Sequence, residues 1–337
     1  MGIRVILIIG LASFGLDARP ISYSGGSTLM GHSNNMKDSF YYHYSPSYKY
    51  SIGIESLDDK VIGDSYSYTR LTYLINRKNT ELSQRNLYFQ SGISTKGLNN
   101  NFYGVHGDWE TRRFFVGFGF KQVENQINDY EEKYIQMGLA PYLGEYGDFH
   151  TWLMFKAKKN SLDKKLSNYP VLKFFKGNVL IEFGYSDVSE WDTHLMYRFW
   201  EKIMKKILTI LLAFTSLLSA ANSSDADHHS HEGHIHEKMI DGKKLAVDPD
   251  RFDKFLVGLE DAQVAIVNVQ GMVCDFCARG IEKTFKKDEK VKKIDVDLSK
   301  GKVLIAYSLN EEIDFNDIKE KIVMNGQNAI DMLVVSL

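Results

Sequence analysis

The sequence predicts a chain of two parts, an antiparallel β-barrel followed by a small α+β domain. Eighteen of the 19 tyrosines and all four tryptophans lie before residue 201. Within residues 19–200, apolar and polar residues alternate with the two-residue period of strands, whereas residues 263–337 combine strand and helix periods. Two apolar runs with signal-like features, residues 1–18 and 204–221, precede these two parts.

Both apolar runs have the organisation of secretory signal peptides. The first begins MGIRVILIIG and reaches small residues near Ser13 and Gly15, although a buried strand or helix is the alternative. The second begins at Met204, contains two lysines and ends in small residues at 219–221. It is shorter than the roughly 20 apolar residues of a transmembrane helix, so a membrane anchor is the weaker interpretation. We therefore expect two exported proteins, joined because neighbouring reading frames are read as one.

Residues 19–200 show strand alternation without a helical period. In RRFFVGFGFKQ, Phe114, Val116 and Phe118 fall on one face of a strand, and Gly117 falls on the other. The runs NVLIEFGYS and EKYIQMGLA repeat the pattern, and each is about as long as the roughly 9 to 11 residues of a membrane-crossing strand. The pattern predicts an all-β region.

Three all-β folds fit this region: a soluble sandwich, a lipocalin-like barrel and an outer-membrane barrel. Abundant tyrosine favours the last, because tyrosine rings form girdles at membrane interfaces. The final run ends at Phe199 and Trp200, as the aromatic-ended last strand of an outer-membrane protein does. We expect roughly 8 to 12 strands, from the lower part of the known size range. The five histidines of this region are scattered, and we expect them to be ordinary loop or interface residues.

A dense histidine tract follows the second signal, within the predicted linker 222–262. Neutral imidazole binds zinc and copper(II), and a flexible tract can wrap such an ion without a folded domain. A solvated linker is the alternative, but every histidine after Met204 falls in this tract. We therefore predict a loose zinc or copper(II) site. Its candidate ligands are His228, His229, His231, His234 and His236.

The only two cysteines, Cys274 and Cys277, lie between a predicted strand and a predicted helix. The run AQVAIVNV from Ala262 is rich in strand-forming residues, and apolar residues recur at helical spacing from Cys277 through Ile281 to Phe285. Two alternating runs, a second helix and a last strand complete the order βαββαβ. This order is that of a ferredoxin-like domain.

Together with this order, the sequence GMVCDFC at residues 271–277 resembles the heavy-metal-associated domain family, over residues 263–336. The G-M-x-C-x-x-C motif at this position is far more specific than a bare C-x-x-C. The resemblance implies a periplasmic mercury- or copper-binding protein, with Cys274 and Cys277 as the metal ligands and a metal-transporting membrane protein as a partner. It also implies that Met272 points inward.

The chain departs from the family after Gly326, where bacterial members often carry an aromatic residue and this sequence has Gln327. This departure removes the basis for inferring the metal from this position.

The chemistry of the motif agrees with a soft metal. Cys277 is expected in the first turn of a helix, where the helix dipole and free N–H groups favour thiolate, the metal-binding form. Two thiolates suit copper(I) or mercury(II), whereas structural zinc usually takes four ligands. Asp275 should attract a cation but oppose thiolate formation. We expect both thiols at the surface.

Two alternatives use the same cysteines. A thiol-disulfide oxidoreductase also carries C-x-x-C at a helix start, but this chain lacks a tryptophan before Cys274 and the thioredoxin order of elements. A disulfide between Cys274 and Cys277 in the resting periplasmic protein is the other alternative.

Composition limits the remaining functions. A formal net charge of -2 gives no reason to expect a nucleic acid as partner. No catalytic constellation is visible, so we predict a protein that is not an enzyme. We expect it in the cell envelope of a Gram-negative-type bacterium, with the barrel in outer-membrane lipid and the metal-binding domain in the periplasm.

Overall fold

A computed structural model describes residues 19–61, 63–96, 100–124, 129–162, 166–187, 190–200 and 247–337. Twelve strands form a closed antiparallel barrel, because β1 pairs with both β2 and β12. The strands are β1 (Gly26–Ser33), β2 (Lys37–Ser47), β3 (Tyr50–Asp59), β4 (Asp64–Asn79), β5 (Ser83–Ser94), β6 (Phe102–Thr111), β7 (Phe114–Val123), β8 (Tyr130–Leu139), β9 (His150–Asn160), β10 (Leu166–Lys176), β11 (Val179–Ser186) and β12 (Glu190–Trp200). The predicted barrel is therefore confirmed.

The barrel places large apolar side chains outside and polar or small ones inside, as strand alternation requires. On β7, Phe114 and Phe118 are about half exposed, whereas Gly117 and Gly119 are buried. A Cβ at Gly119 would lie 2.2 Å from the ring of Tyr134, so a side chain at this position would have to displace that ring. β8 and β11 alternate in the same way, which confirms the predicted faces.

Several charged side chains inside the barrel are paired with one another. Arg70 Nη1 lies 2.9 Å from Glu55 Oε2, and Lys156 Nζ lies 3.1 Å from Asp192 Oδ2. An unpaired buried charge would be strongly destabilising. Ion pairs of this kind allow charged side chains to fill the barrel interior without the large energetic cost of an unpaired charge.

The tyrosines do not all form outer girdles, which corrects part of the sequence argument. Seven tyrosines of the barrel region are buried. The hydroxyl of Tyr66 donates to Asp59 Oδ2 at 3.0 Å, and the hydroxyl of Tyr169 donates to Asp192. These two rings fit in the interior because their hydroxyls find carboxylate partners there. The seven are Tyr23, Tyr41, Tyr66, Tyr68, Tyr88, Tyr130 and Tyr169.

The histidines of the barrel also differ from expectation. His32, His43 and His194 lie on strands and are buried, so they are interior residues and not loop residues. Among them, His32 and His194 are directly opposite each other across the β1–β12 pair.

The residues that precede β1 and the last residues of β12 lie at the same end of the barrel. At this end, β2–β3, β6–β7 and β10–β11 are joined by two residues each. The longest loop here is residues 140–149, between β8 and β9. We call this end the terminal mouth. It comprises residues 19–25 and the loops 48–49, 80–82, 112–113, 140–149 and 177–178.

The C-terminal domain follows the predicted βαββαβ order. Its elements are β13 (Ala262–Gln270), α2 (Asp275–Phe285), β14 (Val291–Asp297), β15 (Lys302–Ser308), α3 (Phe315–Val323) and β16 (Asn328–Ser336). The sheet order is β14-β15-β13-β16, and every pair is antiparallel. Helices α2 and α3 pack on one face through Ile281, Phe285, Ile318 and Ile322, which are fully buried. This arrangement confirms the ferredoxin-like fold.

A helix that sequence analysis did not predict, α1 (Pro249–Leu256), covers the other face of this sheet. The Asp248 carboxylate accepts a hydrogen bond from the N–H of Arg251 at 2.9 Å, and a proline starts the helix. Phe252 and Phe255 pack against Ile266 and neighbouring sheet residues. Because α1 covers this face, β13 is buried on both sides, which explains its nearly continuous apolar sequence.

No helix among the described residues is both long enough and apolar enough to cross a membrane. The signal-like segments 1–18 and 204–221 lie outside the described residues, and so does the histidine tract.

Candidate metal centre

The cysteine loop is fixed at both ends by the C-terminal domain. After β13, Gly271 takes a positive φ of 81°, a conformation that glycine adopts without strain. Met272 then enters the domain core and is 3% exposed, as predicted for an inward residue. Cys274 is the N-cap residue of α2, with an extended backbone at φ -144° and ψ 159°. The cysteines therefore lie at the strand-to-helix junction that the sequence predicts.

The two sulfur atoms lie side by side. Cys274 Sγ and Cys277 Sγ are 3.0 Å apart, and the N–H of Cys277 donates to the carbonyl of Cys274 at 3.0 Å. Neither cysteine forms a disulfide in this structure. The separation is that of a hydrogen-bonded sulfur pair and exceeds the roughly 2.05 Å of a disulfide.

The expectation that both thiols lie at the surface is wrong for Cys277, which is 4% exposed. Cys277 belongs to the stripe of α2 that packs on the sheet, together with Ile281 and Phe285. The helical spacing noted in the sequence already implied this burial, since positions four apart share one helix face. Cys274 is half-buried.

A guanidinium group from outside the C-terminal domain contacts the buried sulfur. Arg19 Nη1 donates to Cys277 Sγ at 3.0 Å, and Arg19 Nη2 donates to Glu110 Oε2 at 2.7 Å. Arg19 precedes β1 and Glu110 lies on β6. Sequence analysis missed both residues, because neither lies near the cysteines in sequence and neither belongs to a recognisable motif.

These contacts divide the two sulfurs into a thiolate and a thiol. The hydrogen bond from Cys274 and the adjacent Arg19 hold the pKa of Cys277 well below its usual range. The same sulfur–sulfur hydrogen bond, together with burial, raises the pKa of Cys274 well above its usual range. The start of α2 adds to the effect on Cys277, because the helix N-terminus favours negative charge. Cys277 is therefore the sulfur that favours the thiolate form, and Cys274 is the one that favours the thiol form.

Asp275, between the cysteines, contacts the barrel region as well as its own helix. Its carboxylate accepts from the N–H of Gly147 at 2.5 Å and from Arg279 Nη2 at 3.0 Å. His150 Nε2 lies 3.9 Å from the same carboxylate. Asp275 is 1% exposed, so its charge is compensated within these contacts.

The described part of the chain offers no richer donor set. No group of three or more His, Cys, Asp or Glu side chains that could hold a metal occurs among the described residues. The five candidate histidines from His228 to His236 fall in the part of the chain that the structure does not describe. The two sulfurs thus form a low-coordinate, soft donor pair.

Comparison with known proteins agrees with this site. The heavy-metal-associated domain family matches residues 266–325. A copper chaperone CopZ from Staphylococcus haemolyticus (strain JCSC1435) is 34% identical over 64 residues, which is 19% of this chain and 93% of that protein. A solved structure of a KdgM porin in complex with disordered oligogalacturonate has a TM-score of 0.36 and 12% identity, over 52% of this chain and 99% of that one. The chain carries a heavy-metal-binding domain in its C-terminal part and through it belongs to the heavy-metal-associated domain family.

Proposed function

We propose that the C-terminal domain binds one copper(I) ion between Cys274 and Cys277 and transfers it within the periplasm. The observation that supports this most is the thiol–thiolate pair, with sulfurs 3.0 Å apart at the start of α2. Two sulfur ligands suit a soft ion of low coordination number better than they suit zinc. Mercury(II) shares this preference, but the similar protein from Staphylococcus haemolyticus is described as a copper chaperone, which favours copper(I).

Copper(I) would take the place of the proton that the sulfurs share. One singly charged ion enters and one proton leaves, so the net charge of the pair stays at minus one. Metal–sulfur bonds are on the order of 2.3 Å long. A near-linear arrangement therefore requires the sulfurs to move apart from their present 3.0 Å. Binding of this kind changes the loop and leaves the sheet and helices in place.

Transfer follows from the small number of ligands. An ion held by two sulfurs has room for a third from another protein, so a ligand-by-ligand exchange can move it without release into water. We propose a metal-transporting membrane protein as the recipient. This is a carrier role, and it involves no chemical conversion of a substrate.

Replacement of the thiols tests this function. In residues 222–337 expressed alone, Cys274→Ser or Cys277→Ser should lower copper(I) affinity by at least a hundredfold, because each removes one of two soft ligands. Affinity is measured by competition with a copper(I) chelator. Thr284→Ser, at the other end of α2, is the control and should bind as the parent does. Equal affinity in the double serine variant would exclude the thiol site, and disulfide reductase activity without copper binding would favour the oxidoreductase instead.

For the barrel, we propose an outer-membrane location with the terminal mouth on the periplasmic side. The supporting observation is the outward row of exposed apolar side chains on successive strands, among them Ile54, Phe118 and Phe183. In water such a surface would be an aggregation-prone patch, whereas in lipid it is the expected outer face. The two-residue loops of the terminal mouth fit the short periplasmic turns of these proteins.

A further inference from the structure

The C-terminal domain contacts the terminal mouth of the barrel through several backbone hydrogen bonds. The N–H of Gly271 donates to the carbonyl of Thr80 at 3.0 Å, and the N–H of Ser24 donates to the carbonyl of Met324 at 3.1 Å. Asn79 Nδ2 also donates to the carbonyl of Gly326, at 3.0 Å. These bonds come from two places on the mouth, Ser24 and the β4–β5 turn, and the hydrogen bond from Gly147 to Asp275 adds a third, so the domain spans the opening.

An aromatic side chain of the metal loop enters the barrel. The ring centroid of Phe276 lies 4.2 Å from that of Phe175, and the guanidinium carbon of Arg198 lies 4.7 Å from the Phe276 ring. Phe276 also packs with a cluster of buried residues from the barrel wall. They are Met30, Tyr41, Phe175, Leu180 and Met196. The residue immediately before Cys277 is therefore an apolar anchor inside the mouth.

Polar contacts surround this anchor. Tyr146 donates its hydroxyl to Glu282, and the N–H of Gly147 donates to Asp275. On another side, Lys287 Nζ lies 3.1 Å from the ring centroid of Trp200, at the end of β12. An apolar centre with a polar rim is the usual anatomy of a specific protein interface.

The sulfur pair lies at this interface and shares it with charged barrel residues. Arg19 bridges Cys277 and Glu110, as described above. A cavity beside Cys274 is lined by Arg19, Glu110, His150 and Lys173 from the barrel region, and by Val273 and Asp275 from the loop. The sulfur pair thus faces a barrel cation whose own position is fixed by a salt bridge.

We propose that the metal-binding domain docks into the terminal mouth with Phe276 as its anchor, and that Arg19 of the barrel is the counter-ion of the copper-bound sulfur pair. The barrel is then the partner of the metal site, and copper(I) is held at the entrance to the barrel interior. The role of Arg19 rests on the copper site proposed above, whereas the docking does not. The contacts are non-covalent, so they serve equally whether the two parts are one polypeptide or two.

A cross-link tests the docking. The test chain carries Cys274→Ser and Cys277→Ser, so that its native thiols are absent. Two new cysteines, Ser24→Cys and Met324→Cys, then place a thiol pair where the two backbones are hydrogen-bonded. A backbone hydrogen bond of 3.1 Å keeps the two Cα atoms within roughly the 7 Å that a disulfide tolerates. After oxidation, the full chain is cut at a protease site inserted within residues 222–246. We expect most of the protein to remain as one band on a non-reducing gel.

The control pairs Ser24→Cys with Val257→Cys, since Val257 is exposed and follows α1 on the opposite face of the sheet. It should yield two separate fragments. Cross-linking of the test pair no higher than this control would overturn the docking, and would leave copper(I) binding by the parent sequence unaffected. Adding Phe276→Ala to the test pair should reduce its cross-linked fraction severalfold.

A second measurement tests the counter-ion. In the full chain, Arg19→Gln should lower copper(I) affinity by about tenfold or more, because a charge-assisted hydrogen bond to the sulfur pair is lost. Arg85→Gln, at an exposed arginine of β5, is the matched control and should leave the affinity unchanged. Unchanged affinity in Arg19→Gln would overturn the role of Arg19, and so would an equal loss in Arg85→Gln, because the loss would then not depend on the contact with Cys277.

Discussion

At the scale of single residues, the two cysteines are chemically unequal although the motif presents them as a pair. Cys277 is buried at the start of α2 and receives a hydrogen bond from Arg19, whereas the side chain of Cys274 is half-buried and, among the described residues, hydrogen-bonds only with the sulfur of Cys277. The low pKa of Cys277 and the raised pKa of Cys274 have the same first cause, the hydrogen bond between the two sulfurs. Copper(I) binding at neutral pH should therefore release about one proton, from Cys274.

A pH titration of the full chain tests this inequality. Because the pKa of Cys277 is lowered, its thiolate is present above that low pKa and is lost as the pH falls through it. We expect thiolate absorbance in the ultraviolet at neutral pH in the parent chain and its absence in Cys277→Ser. Arg19→Gln should raise the pH at which Cys277 ionises and this absorbance appears. A parent chain whose thiols both ionise only near the usual value of about 8.5 would contradict the assignment.

Met272 gives a second prediction at this scale. It is 3% exposed within the domain core, so its thioether packs and does not bind the metal. Met272→Leu should cost less than about 1.5 kcal/mol of unfolding free energy and leave copper(I) affinity unchanged. Met272→Ala should cost about 2–5 kcal/mol, because it leaves a cavity. Denaturant unfolding and chelator competition on residues 222–337 measure both effects. A large loss of affinity in Met272→Leu would instead make the thioether a ligand.

At the scale of elements, the histidine tract and the cysteine loop offer different donors. Imidazole nitrogens are borderline ligands and thiolates are soft ones, so we expect zinc or copper(II) at the tract and copper(I) at the loop. Helix α1 lies between them in sequence and packs on the sheet face opposite α2. The linker to the metal domain is therefore shorter than residues 222–262, because its last part is folded into the domain.

Replacement of the tract tests the division between the two sites. Changing all five histidines, His228, His229, His231, His234 and His236, to serine should abolish zinc binding near neutral pH. Copper(I) affinity should stay nearly unchanged, since the sulfur pair is intact. Isothermal titration with zinc and chelator competition with copper(I) give the two values. In the parent, zinc binding should weaken as the pH falls below about 6.5, where free imidazole gains a proton. A large loss of copper(I) affinity would show that a histidine completes the sulfur site.

At the scale of the whole molecule, the barrel combines an apolar outside with a salt-bridged inside. Pairs such as Arg70 with Glu55 hold its wall together from within, and aromatic residues such as Phe118 face outward. A molecule of this kind is stable in lipid or detergent and exposes large apolar patches in water.

This arrangement predicts the behaviour of the barrel on purification. The barrel should sediment with outer membranes and, in detergent, should migrate differently on a gel before and after heating, because the closed sheet resists unfolding by detergent alone. Replacement of Ile54 by lysine, on the outer face, should lower the yield in the membrane fraction more than replacement by leucine. Recovery of the barrel as a soluble monomer without detergent would contradict the membrane assignment.

The sequence by itself determined the local features of this protein. Alternation in RRFFVGFGFKQ identified which side chains of β7 face outward, and the change from strand to helical spacing at Cys277 located the start of α2 within a few residues. The G-M-x-C-x-x-C motif identified the metal-binding residues that we propose. These features can be predicted because a strand or a helix requires apolar residues at a fixed spacing, and that spacing is visible in the order of neighbouring residues.

Only the tertiary structure decided how distant residues meet. It fixed the barrel at twelve strands through the pairing of β1 with β12, and it turned seven tyrosines inward, two of them against carboxylates. It also brought Arg19 and Glu110 to Cys277, which lies 258 residues from Arg19. Strand alternation shows which residues share a face but gives neither the curvature nor the closure of a sheet. A contact between separate elements depends on packing across the whole molecule, and no local period of the sequence encodes it.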